Sequence, residues 1–143
     1  MLCPVCKTDM FVLEFELIEI DHCPVCGGVW LDSGELELMG ERAGALRGDL
    51  FAALGRQKGV KPGGRPKRRC PVCRRGLLEV RTPGERPIVI DRCPREHGLW
   101  FDRGELKAVI HAAGAEEGNV LARFLSDLES DNVADRAQGS DSP

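Results

Sequence analysis

Cys23-Pro24-Val25-Cys26-Gly27-Gly28-Val29-Trp30-Leu31-Asp32-Ser33-Gly34-Glu35-Leu36 is the stretch from which the fold can be read. It opens on two cysteines held by a two-residue spacer, a geometry that offers two sulfurs from one tight turn. It closes on Asp32, a good helix N-cap, with Glu35 three residues on, the spacing of a capping box. Upstream, Cys3-Pro4-Val5-Cys6 repeats the cysteine turn, with sixteen residues between the pairs. Within those sixteen, Met10–Leu13 and Ile18–Ile20 read as the two strands of a hairpin, although no Gly or Pro marks the turn.

The whole unit then recurs. Cys3-Pro4-Val5-Cys6 returns as Cys70-Pro71-Val72-Cys73, and Ile20-Asp21-His22-Cys23-Pro24 as Ile90-Asp91-Arg92-Cys93-Pro94. Gly28 to Leu36 returns as Gly98 to Leu106, carrying Trp100, Asp102 and Glu105 at the matching places. The second copy has three extra residues between its cysteine turns, and Thr82-Pro83-Gly84-Glu85 supplies a turn there between strands Leu77–Arg81 and Ile88–Ile90. One module is used twice.

Four cysteines in two such turns at the ends of a hairpin meet as a tetrahedral thiolate set, the arrangement zinc prefers. Cys3, Cys6, Cys23 and Cys26 form the first set; a rubredoxin-like iron site is the chemical alternative. Cys70, Cys73 and Cys93 begin the second, but Glu96 stands where the first copy has Cys26, and His97 follows. Imidazole is the commoner partner of three thiolates and reaches far enough to cover a one-residue shift, which favours His97; Glu96 is the alternative. With four protein ligands per ion, two structural Zn2+ per chain are expected. No catalytic residues are expected either, since no nucleophile–base constellation and no small-molecule substrate site is evident.

Composition agrees with a metal-stapled fold. Aromatic residues make up only 5% of 143 residues, too few for a large core. Seven cysteines are an odd number for a disulfide framework. No secretory leader and no apolar run long enough to span a membrane is read, so a reducing, cytoplasmic setting is expected. The expected class is small α+β: two tandem zinc ribbons, with knuckles on β-hairpins, each followed by a helix. The ranges read are 1–55 (first ribbon plus helix), 56–69 (basic Gly/Pro-rich linker), 70–113 (second ribbon plus short helix), 114–130 (amphipathic helix) and 131–143 (acidic, disordered tail). The first helix is expected from about Ser33 to about Leu54, with Leu36, Met39, Ala43, Leu46, Leu50 and Ala53 on one stripe. Trp30 and Trp100 are expected to pack over their own hairpins, and Asp21 and Asp91 to accept knuckle or strand amides or to lie solvated.

Together, Cys3 and Cys6, a hairpin, and the core from Ile20 through Leu36 in the first copy resemble the bacterial zinc-ribbon family named for its likeness to the zinc finger of transcription factor IIB. The second copy matches at Cys70, Cys73, Cys93, Gly98, Trp100, Asp102, Gly104, Glu105 and Leu106. The resemblance implies zinc binding, and its name suggests nucleic acid or transcription machinery.

Charge is unevenly spread. Residues 1–55 hold ten acids and three bases, whereas residues 56–69 hold seven bases and no acid. Arg56, Lys58, Lys61, Arg65, Lys67, Arg68 and Arg69, continued by Arg74 and Arg75 at the second knuckle, are therefore candidate contacts to DNA or RNA. The competing expectation is a protein-interaction adaptor, with the Leu36–Ala53 stripe or the Val120–Leu128 face pairing with a partner protein or a second copy.

Overall fold

The computed structural model of the chain describes residues 1–44, 48–63, 67–115 and 118–130. The elements, in chain order, are β1 (Phe11–Phe15), β2 (Ile18–His22), β3 (Val29–Asp32), α1 (Glu35–Arg42), α2 (Gly48–Arg56), β4 (Leu78–Arg81), β5 (Val89–Arg92), β6 (Gly98–Phe101), α3 (Glu105–Ala112) and α4 (Val120–Ser130). Both hairpins form. β1 and β2 are joined by Glu16 and Leu17, which take φ 46° and 70°, the two left-handed residues of a type I′ turn, without glycine or asparagine.

Each module adds a third strand that the alternation of Val29, Trp30 and Leu31 now explains. β3 and β6 lie beside their own hairpins and then pair with each other, antiparallel, with Trp30 opposite Trp100 and Leu31 opposite Leu99. The result is a single six-stranded sheet in the order β1-β2-β3-β6-β5-β4. An approximate two-fold axis runs through the Trp30–Trp100 pair, because equivalent residues of the two copies face each other there.

The two sheet faces divide the core. On one, Ile20, Leu31, Ile90 and Phe101 pack under the helices with Leu36, Met39, Leu106 and Val109. On the other, Trp30 and Trp100 are fully buried among the cysteines, Met10 and Leu77. The tryptophans thus do not cover their own hairpins alone; each lies against the other copy. A Cβ on Gly28 would sit 2.1 Å from the Trp100 ring, and one on Gly98 2.7 Å from the Trp30 ring and 2.3 Å from the Leu31 carbonyl oxygen. Those two glycines are what lets the strands close.

The last helix of each module also touches the other module. α2, from the first copy, ends against the second: Arg92 on β5 donates to the Leu54 and Gly55 carbonyls at 2.8 and 3.2 Å, satisfying the helix C-terminus. α4, from the second copy, reaches the first, where Phe124 meets Phe15 with ring centroids 5.1 Å apart. Leu50, Leu54, Leu121 and Leu125 are buried in the shared core.

Two expectations are corrected here. The stretch from Ser33 to Leu54 is not one helix but α1 and α2, which pack on each other. Gly44 takes φ 70°, and Gly40 leaves room for the Phe51 ring, which would lie 2.1 Å from a Cβ there. Folding back lays the Phe51 ring on Gly40 and buries it. Second, the N-caps are Gly34 and Gly104, not Asp32 and Asp102, and carry no side-chain cap. Only the glutamate half of each capping box forms, with Glu35 and Glu105 accepting from the Asp32 and Asp102 amides at 2.7 Å. The segment read as a linker is itself fastened at several points. Gln57 exchanges two hydrogen bonds with the Arg81 backbone, and Val60 bridges Glu79 along the outer edge of β4. Leu46, Arg65 and residues 131–143 lie outside the described residues.

Candidate metal centre

Three of the four cysteine turns are built the same way. The backbone N–H of Lys7 donates to the Cys3 carbonyl, Gly27 to Cys23 and Arg74 to Cys70, at 2.8–2.9 Å, and all three donors are left-handed, with φ 60°, 79° and 67°. Amides inside the turn point at sulfur: Val5 and Cys6 donate to Cys3 Sγ, Val72 to Cys70 Sγ and Arg95 to Cys93 Sγ, each at 3.3 Å. Such donors stabilise a thiolate before any metal arrives.

The fourth turn differs by one residue, and the difference decides its ligand. Glu96, not the residue after it, takes the left-handed conformation (φ 62°), and its N–H closes a tighter turn on the Cys93 carbonyl at 3.0 Å. The outer frame is kept, since Cys23 pairs with Gly28 and Cys93 with Gly98 in the same way. A turn that tightens one residue early presents the following residue inward. Donor atoms of Cys70, Cys73, Cys93 and His97 accordingly lie within 4.8 Å of one another, as do those of Cys3, Cys6, Cys23 and Cys26. Glu96 is exposed and outside the group.

The spacing of the donors fits zinc. Bonds of about 2.3 Å to sulfur at tetrahedral angles put two sulfurs about 3.8 Å apart, and a sulfur and an imidazole nitrogen about 3.6 Å apart. Cys3 and Cys26 sulfurs are 3.7 Å apart, Cys73 and Cys93 3.6 Å, and Cys93 Sγ lies 3.4 Å from His97 Nδ1. All seven cysteines are free thiols. The two sites fit two zinc ions, one per ribbon. Four protein donors fill each tetrahedron, which marks a structural rather than a catalytic ion.

Without the ion the thiols share too little positive potential. The Cys26 thiol supports Cys3, drawing it down to about 5, and is itself pushed far up by that same bond. Burial raises Cys6 to about 11 and Cys70 to about 12. Burial also opposes ionisation of Cys73, but the Arg75 amide, Cys93 and His97 outweigh it and bring Cys73 to about 7. Only a dication lets all the thiolates of a site exist together, so zinc binding releases protons and holds the turns closed.

Around the metals, the repeated acids have specific partners. Trp30 and Trp100 donate their indole N–H to Asp32 and Asp102 at 3.1 and 3.2 Å. Asp91 is buried and meets Arg68, whose guanidinium lies 2.9 Å from both Asp91 and Asp102. Burial alone would lower the Arg68 pKa, but the two carboxylates raise it. In the first module the chain position matching Arg68 is Met1, as the paired bonds Met10 to Met1 and Leu77 to Arg68 show. Asp21 there is buried, and burial together with the Asp32 charge raises its pKa. His22 is buried on β2, and His111 is exposed on α3.

The candidate nucleic-acid residues separate into three groups. Arg68 is taken up by its two aspartates. Arg56, Lys58 and Lys61 are exposed along the segment laid on β4. Lys67, Arg69, Arg74 and Arg75 are exposed beside the second metal site, where Arg69 also donates to the Arg74 carbonyl. Arg95, exposed in the fourth turn, joins them. Its place inside the knuckle, two residues after Cys93, was the available signal.

A sequence model of the family described as a transcription factor zinc-finger matches residues 2–42 and 69–112. No curated protein and no solved structure matches the chain.

Proposed function

The chain belongs to the transcription factor zinc-finger family, and from that premise we propose that it is a structural zinc protein whose second ribbon meets the phosphates of nucleic acid. One observation carries this: the exposed bases Lys67, Arg69, Arg74, Arg75 and Arg95 gather around the second zinc site. The first ribbon has Leu2, Lys7, Thr8 and Val25 at the positions matching Arg69, Arg74, Arg75 and Arg95, so the two faces are chemically unlike. A rigid, metal-held turn keeps these charges at fixed spacing without ordering long loops on binding. With both tryptophans buried, the patch has no aromatic platform for bases, and contact is to phosphate, insensitive to sequence. The seven free thiols suit a reducing compartment such as the cytoplasm.

Five phosphate contacts give a slope of about −4.5 in log K against log salt, or about a 500-fold loss between 50 and 200 mM. Fluorescence anisotropy of labelled DNA and RNA with the zinc-loaded protein measures this. Changing Arg74 and Arg75 to Gln reduces the slope by about 1.8. No binding at low salt refutes the proposal. Burial of Leu50, Leu121 and Leu125 on the helices supports this reading over the alternative of helices as docking surfaces, for which Val120, 67% exposed, still offers an apolar point.

A further inference from the structure

The sheet has two outer edges, β1 and β4, and the two-fold makes them equivalent strands. Ile20 and Ile90 match, so Leu13 corresponds to Val80, Phe11 to Leu78, Val12 to Glu79 and Glu14 to Arg81. Their treatment differs. Along β4 the segment after α2 adds a further extended stretch: Val60 and Glu79 exchange backbone bonds of 3.0 and 2.7 Å, and the Gln57 amide pairs with the Arg81 backbone. Gly59 presses on Leu78 so closely that a Cβ would lie 2.6 Å from the leucine Cβ. The covering stretch, Arg56-Gln57-Lys58-Gly59-Val60-Lys61, is basic.

Along β1 nothing corresponds among the described residues. The closing pair Phe15–Ile18 of the two-residue turn fixes the alternation, so Phe11, Leu13 and Phe15 bond to β2, and Val12 and Glu14 turn their N–H and C=O outward. Phe11 is 59% exposed, Val12 62% and Leu17, at the tip, 82%. An open edge with three exposed large apolar side chains is a template for strand addition. Its flanks are acidic: Asp9, Glu14, Glu16 and Glu19 are all exposed.

We propose that β1 is a docking edge for an extended, basic segment of a partner protein, which adds as a seventh strand. The companion edge shows that this fold accepts such a stretch in that place, and the acids on and beside β1 select the sign of its charge. A second copy offering its own β1 would set these acids against each other. The chain's residues 131–143 hold three acids and one base, the wrong sign for this edge. Because β1 lies at the sheet edge farthest in strand order from β4, this inference stands apart from nucleic-acid binding at the second ribbon.

A labelled peptide copying residues 56–63 (Arg-Gln-Lys-Gly-Val-Lys-Pro-Gly) is the probe, titrated into the zinc-loaded full chain. Binding is followed by anisotropy and by amide hydrogen exchange read residue by residue. The expected result is saturable binding with slowed exchange at Val12 and Glu14. Val12→Pro, which removes only an outward donor, weakens it about tenfold. Glu14→Lys with Glu16→Lys also weakens it and leaves the fold intact. Absent protection of Val12 and Glu14 at saturating peptide overturns the proposal. So does protection already present in the free chain, which would mean an internal segment fills the edge if independent of concentration, or a second copy if dependent on it.

Discussion

Replacing Gly98 with Ala strikes the junction on which the six-stranded sheet depends. The added Cβ would stand 2.3 Å from the Leu31 carbonyl oxygen and 2.7 Å from the Trp30 ring, against ordinary contact at 3.4 Å or more. The oxygen is backbone, paired across β3 and β6, and cannot swing aside. Relief needs β3 and β6 to part by about 1 Å, which loosens the Asp32–Gly98 and Leu31–Leu99 pairs and displaces a buried ring. Overpacking of this kind costs about 1–3 kcal/mol, and each weakened backbone bond about 1 more, so about 3 kcal/mol is expected. Urea unfolding of the zinc-loaded protein measures it, with Gly55→Ala as the control. A Cβ at Gly55 meets nothing within 4 Å, and there the change removes a helix glycine and gains about 0.5–1 kcal/mol. A Gly98→Ala variant within 0.5 kcal/mol of the parent would refute the paired β3–β6 junction.

Arg68→Ala should cost about 2–3 kcal/mol in the same assay, by leaving Asp91 buried without its cation; the figure is below that of a fully buried pair because the Asp102 side chain is 33% exposed. Gly40→Ala should release α2 from α1, seen as exposure of the Phe51 region to proteolysis, whereas an unchanged cleavage pattern would contradict their packing. Chelation of zinc should abolish near-ultraviolet signals of both tryptophans together, since Trp30 and Trp100 share one core with the cysteines. Retention of either signal in metal-free protein would argue that the tryptophan core stands without the ions.

The modules, the hairpins and seven of the metal donors were legible because cysteine spacing is a local constraint that packing does not override. The eighth was legible only as a choice: His97 against Glu96 turns on which residue takes positive φ, and a glutamate gives no sign of that. The pairing of β3 with β6 was not legible from one copy of the motif. Gly28 and Gly98 stand in the sequence only as matching residues of the repeat, and only the opposing tryptophan explains them. The split of the first helix had its signal in Gly40 and Gly44, but the pattern from Leu36 to Ala53 fits one straight stripe as well as two folded helices. The aspartates mislead for a plain reason: an acid before a helix usually caps it, yet here an indole N–H takes the carboxylate first.

Zinc content per chain, measured on purified Glu96→Gly and His97→Ala variants beside the parent, tests the two-ion double ribbon most directly. Two zinc ions in the parent and in Glu96→Gly, with one in His97→Ala, is the predicted result. Two ions retained in His97→Ala and one in Glu96→Gly would contradict it.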